Sequence, residues 1–489
     1  AEIAKEVSVF KQKKEEETAK EQNAKRIKEA KVSNLEIGGI RGELYNFQKL
    51  GVEFFINSGG RAILADDMGT GKTIQSLAYV VNTNQKRTLV ISPASVKFSW
   101  KNECERWTKL KSFVVDSKTK FADIPYNVDV VIVNYDVLKK HFNELMKHKW
   151  SCLICDEAHM IKNTSAIRTK AVKAIAKNIP SVLLLSGTPL VNRTIELYNL
   201  LNIVDPKVWN NWYSYAVKYC GGHQGQWGFE AKGSSNLDEL KQRIGKYFLR
   251  RTKEEVLPEL PPKIRTDVPM ELIGEFHKQY KTAASSLAQY LRQYKKETDS
   301  KILKAVQAEK LVRINYLRQI SSMAKVETAK ELIQNIIDTE EKVVVFSCFN
   351  APLLELQKSF PNESVMIIGD VDVGERGEIV KKFQEKSQIK VFLCGIKSGG
   401  VGLTLTAASN TIFIDYSWSS ADMIQAEDRI HRLGQGAMSV NIYQIISKNT
   451  IDDFLKKLIE NKKEIFDQLF GNEIIKKSSI IEEFIKKLE

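Results

Sequence analysis

Short apolar runs separated by longer amphipathic stretches set the pattern of this chain. RAILA (61–65), RTLVIS (87–92), DVVIV (129–133), SCLIC (151–155) and SVLLLS (181–186) are almost continuously hydrophobic. Such runs mark strands covered on both faces of a parallel sheet. Between them, TIQSLAYVV and AIRTKAVKAIAK place apolar residues at helical spacing. The alternation predicts a doubly wound α/β unit over residues 37–205. The same pattern returns over 326–450. There KVVVFSC (342–348), SVMIIG (364–369), KVFLCG (390–395), TIFID (411–415) and VNIYQII (440–446) are the expected strands.

The remaining segments break the pattern. Residues 1–36 are rich in Lys, Glu and Ala without a strong apolar stripe, which predicts a solvated helix or a partly disordered arm. Residues 206–325 read as a helical, aromatic and basic connector, interrupted by PELPP at 258–262. Within it, residues 271–319 predict long charged helices that protrude from the α/β units. Residues 451–489 predict amphipathic helices packed on the second unit.

Composition narrows the class. A chain of 489 residues with 43% hydrophobic content exceeds one ordinary core. Its longest apolar runs are only strand-length, so no membrane span is expected. The first stretch is charged, unlike a signal peptide, so an intracellular place is expected, with the compartment left open. The net charge of +14 suits a polyanion such as DNA, although solubility alone also accounts for it. The six cysteines lie mostly in or beside apolar runs. Cys152 and Cys155 form a CxxC, but along an extended strand they point to opposite faces. Reduced core cysteines are expected rather than a metal site.

Two segments carry candidate chemistry. DDMGTGKT runs from Asp66 to Thr73 after the strand RAILA. Gly69 and Gly71 let a backbone bend tightly around phosphate oxygens, and the helix that follows turns its positive end toward them. Lys72 would supply charge to the β and γ phosphates, and the Thr73 hydroxyl would hold Mg2+. DEAH (156–159) follows the strand SCLIC directly. Asp156 would hold the magnesium through water, and Glu157 would orient and deprotonate an attacking water. A bare acidic helix start would look similar, but the preceding glycine loop favours an ATP site. His159 either bonds locally or couples the nucleotide to DNA. Late in the chain, QAEDRIHRLGQ (425–435) spaces Arg429 and Arg432 three apart, which predicts one shared helix face. Two guanidiniums there could reach a γ-phosphate, and an arginine finger changes rate by roughly 10³–10⁵. A solvated basic face is the alternative.

Taken in order, these segments resemble the Swi/Snf-type family of ATP-dependent DNA translocases in helicase superfamily two. The likeness runs from Leu44 to Gln435. It includes LYNFQKLGVEFF (44–55), LVISPASVKFSW (89–100), VIVNYDVL (131–138), SGTPLVNR (186–193), VVVFSCF (343–349), KSGGVGLTLTAASNTIFID (397–415) and YSWSSADMIQAEDRIHRLGQ (416–435). Residues 218–263, with Trp227, GSSNL and the LRR…LPPK ending, resemble the annealing-helicase, fork-remodelling subfamily. Some positions depart from the pattern. Asp66 stands where the strict glycine-loop motif has Gly, and Asp67 replaces a usual Glu. Ile396 replaces Ser or Thr, and Ser419 replaces a common Asn.

The resemblance implies two RecA-like lobes with helical protrusions and terminal helical extensions. ATP would lie against Gln48, as the adenine reader, with Asp67, Met68, Gly69, Thr70, Gly71, Lys72, Thr73 and Gly402, and Arg429 and Arg432 would complete the site. DNA would be held largely through phosphates by Ser92, Asn134, Tyr135, Ser347, Ser398, Gly399, Gly400 and Trp418. His159, Ser186, Gly187, Thr188 and Gln425 would couple hydrolysis to movement. The expected partner is double-stranded or forked DNA, with other repair or replication proteins in attendance, and the expected state is a monomer. The implied activity is duplex translocation that remodels or reanneals DNA. A strand-separating helicase and a nucleotide-gated clamp with little turnover are the alternatives.

Overall fold

A computed structural model describes residue 15 and residues 18–115, 118–120, 123–187, 194–225, 228–231, 233–294, 300–369, 371, 373–399 and 403–457. The chain divides into two units, Ala1–Pro258 and Glu259–Glu489.

The first unit is built on a seven-stranded sheet. Its strands are β1 (Arg61–Leu64), β2 (Thr88–Ser92), β3 (Ser112–Val114), β4 (Val130–Asn134), β5 (Cys152–Cys155) and β6 (Ser181–Leu185), with β9 (Phe248–Leu249) added much later. The hairpin β7 (His223–Gly225) and β8 (Gly228–Glu230) forms a separate two-stranded sheet. The order is β3-β4-β2-β5-β6-β1-β9, and every pairing is parallel. The central strands β2, β4, β5 and β6 are buried throughout, which explains why their sequences are apolar rather than alternating.

The second unit carries a six-stranded parallel sheet. Its strands are β10 (Lys263–Met270), β11 (Val343–Ser347), β12 (Ser364–Ile367), β13 (Val391–Gly395), β14 (Asn410–Phe413) and β15 (Val440–Ser447), in the order β10-β15-β14-β11-β13-β12. Alternate residues of β11 serve two cores: Val344 and Phe346 face one, Val343 and Val345 the other. The two sheets with their helices are the two RecA-like lobes that the sequence implies.

Several segments differ from expectation. The first described helix, α1 (18–29), is not simply solvated: Ala24 and Ile27 are buried. Ser33 just beyond it donates to Glu53 at 2.9 Å, on the helix α2 (Asn46–Asn57). The stretch 206–325 is not a helical connector alone, because it supplies β9 to the first sheet and β10 to the second. The long helices Gly274–Gln293 and Ser300–Ala324 do not simply protrude. Tyr280, Ala284 and Leu287 of the first, and Ile314, Leu317 and Ile320 of the second, belong to the core of the second unit. Their charged outer faces disguise narrow inner stripes.

All six cysteines are free. Burial pushes the thiols of Cys220, Cys348 and Cys394 up to about 12. Among the described residues no helix is long and apolar enough to cross a membrane.

Candidate nucleotide-hydrolysis site

In the first unit the candidate residues gather at the ends of β1, β5 and β6. The loop after β1 leads into α3 (Lys72–Asn82), and Gly69 and Gly71 have φ of 80° and 79°. Only glycine takes that conformation without strain. A Cβ on Gly71 would also meet Gln48 Nε2 at 2.5 Å. No side chain caps α3, so its first amides face the loop as donors. Lys72 folds back to donate to the carbonyls of Asp66 and Asp67, at 2.8 and 2.9 Å. Burial lowers its pKa, while the carboxylates of Glu157, Asp66, Asp156 and Asp67 raise it. Thr73 sits half-buried in the first turn of α3, Met68 is buried, and Thr70 donates its hydroxyl to Asp67 O at 2.8 Å. Gln48 bridges two backbones: its Nε2 donates to Thr70 O at 3.2 Å, and its Oε1 accepts from Tyr45 N at 3.1 Å.

Beside the loop, β5 delivers the two DEAH carboxylates. Asp156 Oδ2 accepts from the Trp100 indole at 2.8 Å, and Oδ1 accepts from the Glu157 amide at 2.9 Å. Trp100 lies on α4 (Lys97–Trp107) and is fully buried. Burial first, and the Glu157 charge second, push the Asp156 carboxyl up to about 6. Glu157 has φ 47° and ψ 51°, a left-handed conformation that costs energy for a non-glycine residue. Its Oε2 lies 3.2 Å from His159 Nδ1, which is 3.4 Å from Ser186 Oγ. Hence DEAH and the segment after β6 touch through one imidazole. Gly187 closes the group, since a Cβ there would stand 2.6 Å from Met68 Cγ and 3.4 Å from Lys72 Nζ.

This cluster suits a triphosphate with a hard cation. It offers glycine-loop amides, one lysine, one hydroxyl and two carboxylates. Among the described residues no three His, Cys, Asp or Glu side chains converge on a metal position.

In the second unit, Arg429 and Arg432 converge without sharing a helix. The helix Ser420–Glu427 ends before them, and the turns that follow carry both guanidiniums to Leu403 O, at 3.4 and 3.2 Å. Arg432 also donates to Thr404 Oγ1 at 3.0 Å. The shared-face expectation is corrected to a shared carbonyl, and Gly434 at φ 92° turns the chain just afterwards. Gln425 is buried on the helix.

The residues expected to grip DNA divide differently. The side chains of Ser92, Tyr135 and Ser347 are buried and used internally. Ser92 Oγ donates to Pro93 O at 3.3 Å, Tyr135 OH to Asp156 O at 2.8 Å, and Ser347 Oγ to Asp415 Oδ2 at 2.5 Å. These three side chains therefore do not present themselves to a phosphate, because the strand ends turn them inward. Asn134 is also buried, with its amide 3.4 Å from Asp136 Oδ2. Trp418 is half-buried under the Arg318 guanidinium at 5.0 Å. Ser398 and Gly399 lie on the short helix Ile396–Gly399. Thr188, Gly400, Gly402 and Trp227 lie outside the described residues.

Sequence reasoning overlooked Trp100, Arg250 and Arg251. A buried tryptophan needs a partner for its N–H, and Asp66 at a glycine position called for a cation. Arg251 is that cation: its guanidinium binds the fully buried Asp66 carboxylate. Arg250 reaches Asp67 Oδ1 at 3.1 Å. These pairs explain both departures in the loop sequence.

Known domain families match most of the chain. The SNF2-related domain matches residues 47–326, and the helicase conserved C-terminal domain matches residues 324–434. The chain is 31% identical over 436 residues to the SWI/SNF-related matrix-associated actin-dependent regulator of chromatin subfamily A-like protein 1 of Xenopus tropicalis, covering 88% of this chain and 45% of that protein. It is 29% identical over 443 residues to the human DNA annealing helicase and endonuclease ZRANB3, covering 87% of this chain and 40% of that protein. It thus spans less than half the length of these relatives. Among solved structures, a Sulfolobus solfataricus SWI2/SNF2 ATPase core in complex with dsDNA is 26% identical, with a TM-score of 0.44 over 90% of this chain and 95% of that one. With a matching model over more than half its length and a helicase C-terminal match following it, the chain belongs to the SNF2-related family.

Proposed function

We propose that this chain is a DNA-stimulated ATPase that uses hydrolysis to move along one strand of a DNA duplex, remodelling or reannealing DNA or DNA–protein complexes. The observation that carries the reading is the gathering of Lys72, Asp156, Glu157, His159, Ser186 and Gly187 at three strand ends of one unit. Membership of the SNF2-related family supports it, as do relatives named as a chromatin regulator and as an annealing helicase.

Bound Mg2+ would neutralise phosphate charge and raise the electrophilicity of the γ-phosphorus. The chain's own residues do the rest. Lys72 exchanges its two loop carbonyls for phosphate oxygens, a stronger charge-assisted contact. Trp100 and the Glu157 amide hold Asp156 in one rotamer, from which it would help hold the cation. Glu157, held in its left-handed conformation, takes a proton from water, and His159 senses that change because it touches both Glu157 and Ser186. Arg429 and Arg432 would supply positive charge to the transition state. Contacts to phosphates carry little base information, so DNA binding should tolerate sequence and weaken with salt.

ATP turnover measured with no DNA, single-stranded, duplex and forked DNA tests this reading. Strong stimulation by duplex or forked DNA is expected, and equal rates in all four conditions would remove the translocase. Arg432→Ala should keep DNA affinity and lose turnover by about 10³-fold or more. A change confined to DNA affinity would make Arg432 a phosphate contact instead.

A strand-separating helicase is the second reading, favoured by the hairpin β7–β8. Phe229 of β8 packs on Tyr213 and Trp212, with ring centroids 4.7 and 5.7 Å apart. Unwinding of a forked duplex without a reannealing trap separates the two: products that persist favour the helicase.

A further inference from the structure

Residues 249–265, LRRTKEEVLPELPPKIR, carry the only covalent passage from the first unit to the second. Both ends of this passage are fastened to segments that the functional reading assigns to the nucleotide. At the first end, β9 pairs with β1, the strand that feeds the glycine loop. Arg251 is 7% exposed and Asp66 is fully buried. Arg251 Nε and Nη2 donate to the two Asp66 oxygens at 3.1 and 2.5 Å, while Nη1 donates to Phe47 O at 2.6 Å. Nη2 also reaches Gln75 Oε1 on α3 at 3.3 Å. One planar guanidinium thus ties the loop, the α2 backbone and α3 together, a geometry that lysine cannot copy. The neighbouring Asp67 carboxylate accepts from Arg250 and from the Lys253 amide, each at 3.1 Å.

The second end is fastened in the same manner. Lys263 Nζ donates to Glu427 Oε2 at 3.1 Å and to Asp428 Oδ1 at 2.9 Å. Arg265 binds Glu427 through Nε and Nη2, at 3.2 and 2.6 Å. His431 Nε2 lies 2.8 Å from Pro261 O. Glu427, Asp428 and His431 surround Arg429 in sequence. Between the two clamps, Pro258, Pro261 and Pro262 fix φ and shorten the list of conformations open to the chain.

We propose that Arg251 and Lys263 are positioning residues. They fasten the two ends of a stiff connector to the phosphate loop of one unit and the arginine segment of the other, so that motion of either unit is transmitted to both nucleotide-handling segments. This rests on the nucleotide reading above. It also assigns a task to Asp66 and Asp67: they hold the connector rather than the ligand.

The test uses the full chain. Wild-type binding of a fluorescent ATP analogue and duplex-stimulated turnover are measured first, and they examine the functional reading on its own. Arg251→Gln should then weaken analogue binding about tenfold, and Arg251→Lys should not restore it. Lys263→Gln should leave analogue affinity within about twofold but lower duplex-stimulated kcat about tenfold, and Lys263→Arg should restore kcat. Hydrogen exchange of residues 65–71 should speed up in Arg251→Gln, a readout independent of turnover. Should Arg251→Gln not fold, the Lys263 pair still decides. The proposal is overturned if folded Lys263→Gln has wild-type kcat, or if Lys263→Arg fails to restore a lost kcat. Unchanged exchange and affinity in folded Arg251→Gln would overturn it equally.

Discussion

At the scale of single residues, the site is a balance of buried charges. Lys72 lies among four carboxylates, and two of these, Asp156 and Glu157, are adjacent. Burial and the Glu157 charge raise the Asp156 pKa above its ordinary value of 3.8. An acid whose pKa is raised on folding contributes stability below its unfolded pKa and loses that contribution as pH climbs through the folded value. Without nucleotide, the stability of the wild type relative to Asp156→Asn should therefore fall as pH rises from 4 to above 6. Paired chemical denaturation series would read this difference, and a difference that grows with pH would reverse the assignment. Glu157→Gln keeps size and loses basicity, so nucleotide binding should persist while turnover falls by at least about 10²-fold. Normal turnover in that variant would place the base elsewhere.

Most of these residues were legible because glycine loops and paired acids have a fixed local spacing. The inward rotation of Ser92, Tyr135 and Ser347 was not legible. A motif names a strand end, but the alternation of faces decides which side chain emerges from it. The partnership of Asp66 with Arg251 was hidden because it joins positions 185 residues apart.

At the scale of elements, burial decided which strands could be read. The interior strands are apolar runs because both of their faces are covered. The strands that escaped notice, β3, β9, β10 and the hairpin pair β7 and β8, are all sheet edges. β3 and β9 have three and two residues, and β10 is largely exposed and contains Pro269, which only an edge tolerates easily. β12 is also an edge, yet Val365, Met366 and Ile367 give it an apolar core that made it visible. One joint between elements depends on a buried charge. Lys325, fully buried between the helices Ser300–Ala324 and Val326–Ile337, meets Asp452 Oδ2 at 2.5 Å and donates to Ile414 O at 2.8 Å. Lys325→Met would strand the Asp452 carboxylate and should cost about 3–5 kcal/mol of stability, seen by denaturant titration. A loss below about 1 kcal/mol would mean that Asp452 finds protons or water cheaply.

At the scale of the whole molecule, the chain carries two parallel-sheet units. One unit brings the glycine loop, the lysine and the acids; the other brings two arginines. The repeat of the strand pattern announced two units from sequence, and the comparisons place them in the SNF2-related family. The connector reads as helical in sequence because β9 and β10 complete sheets formed mostly by distant residues, and the hairpin β7–β8 is only three residues a side. The most direct measurement is displacement of a third DNA strand from a linear, blunt-ended duplex. With ATP and magnesium the wild-type chain should release the third strand while the duplex stays paired, and Glu157→Gln should not. Release that proceeds equally without ATP, or no release at all while ATP is being hydrolysed, would contradict translocation along the double helix.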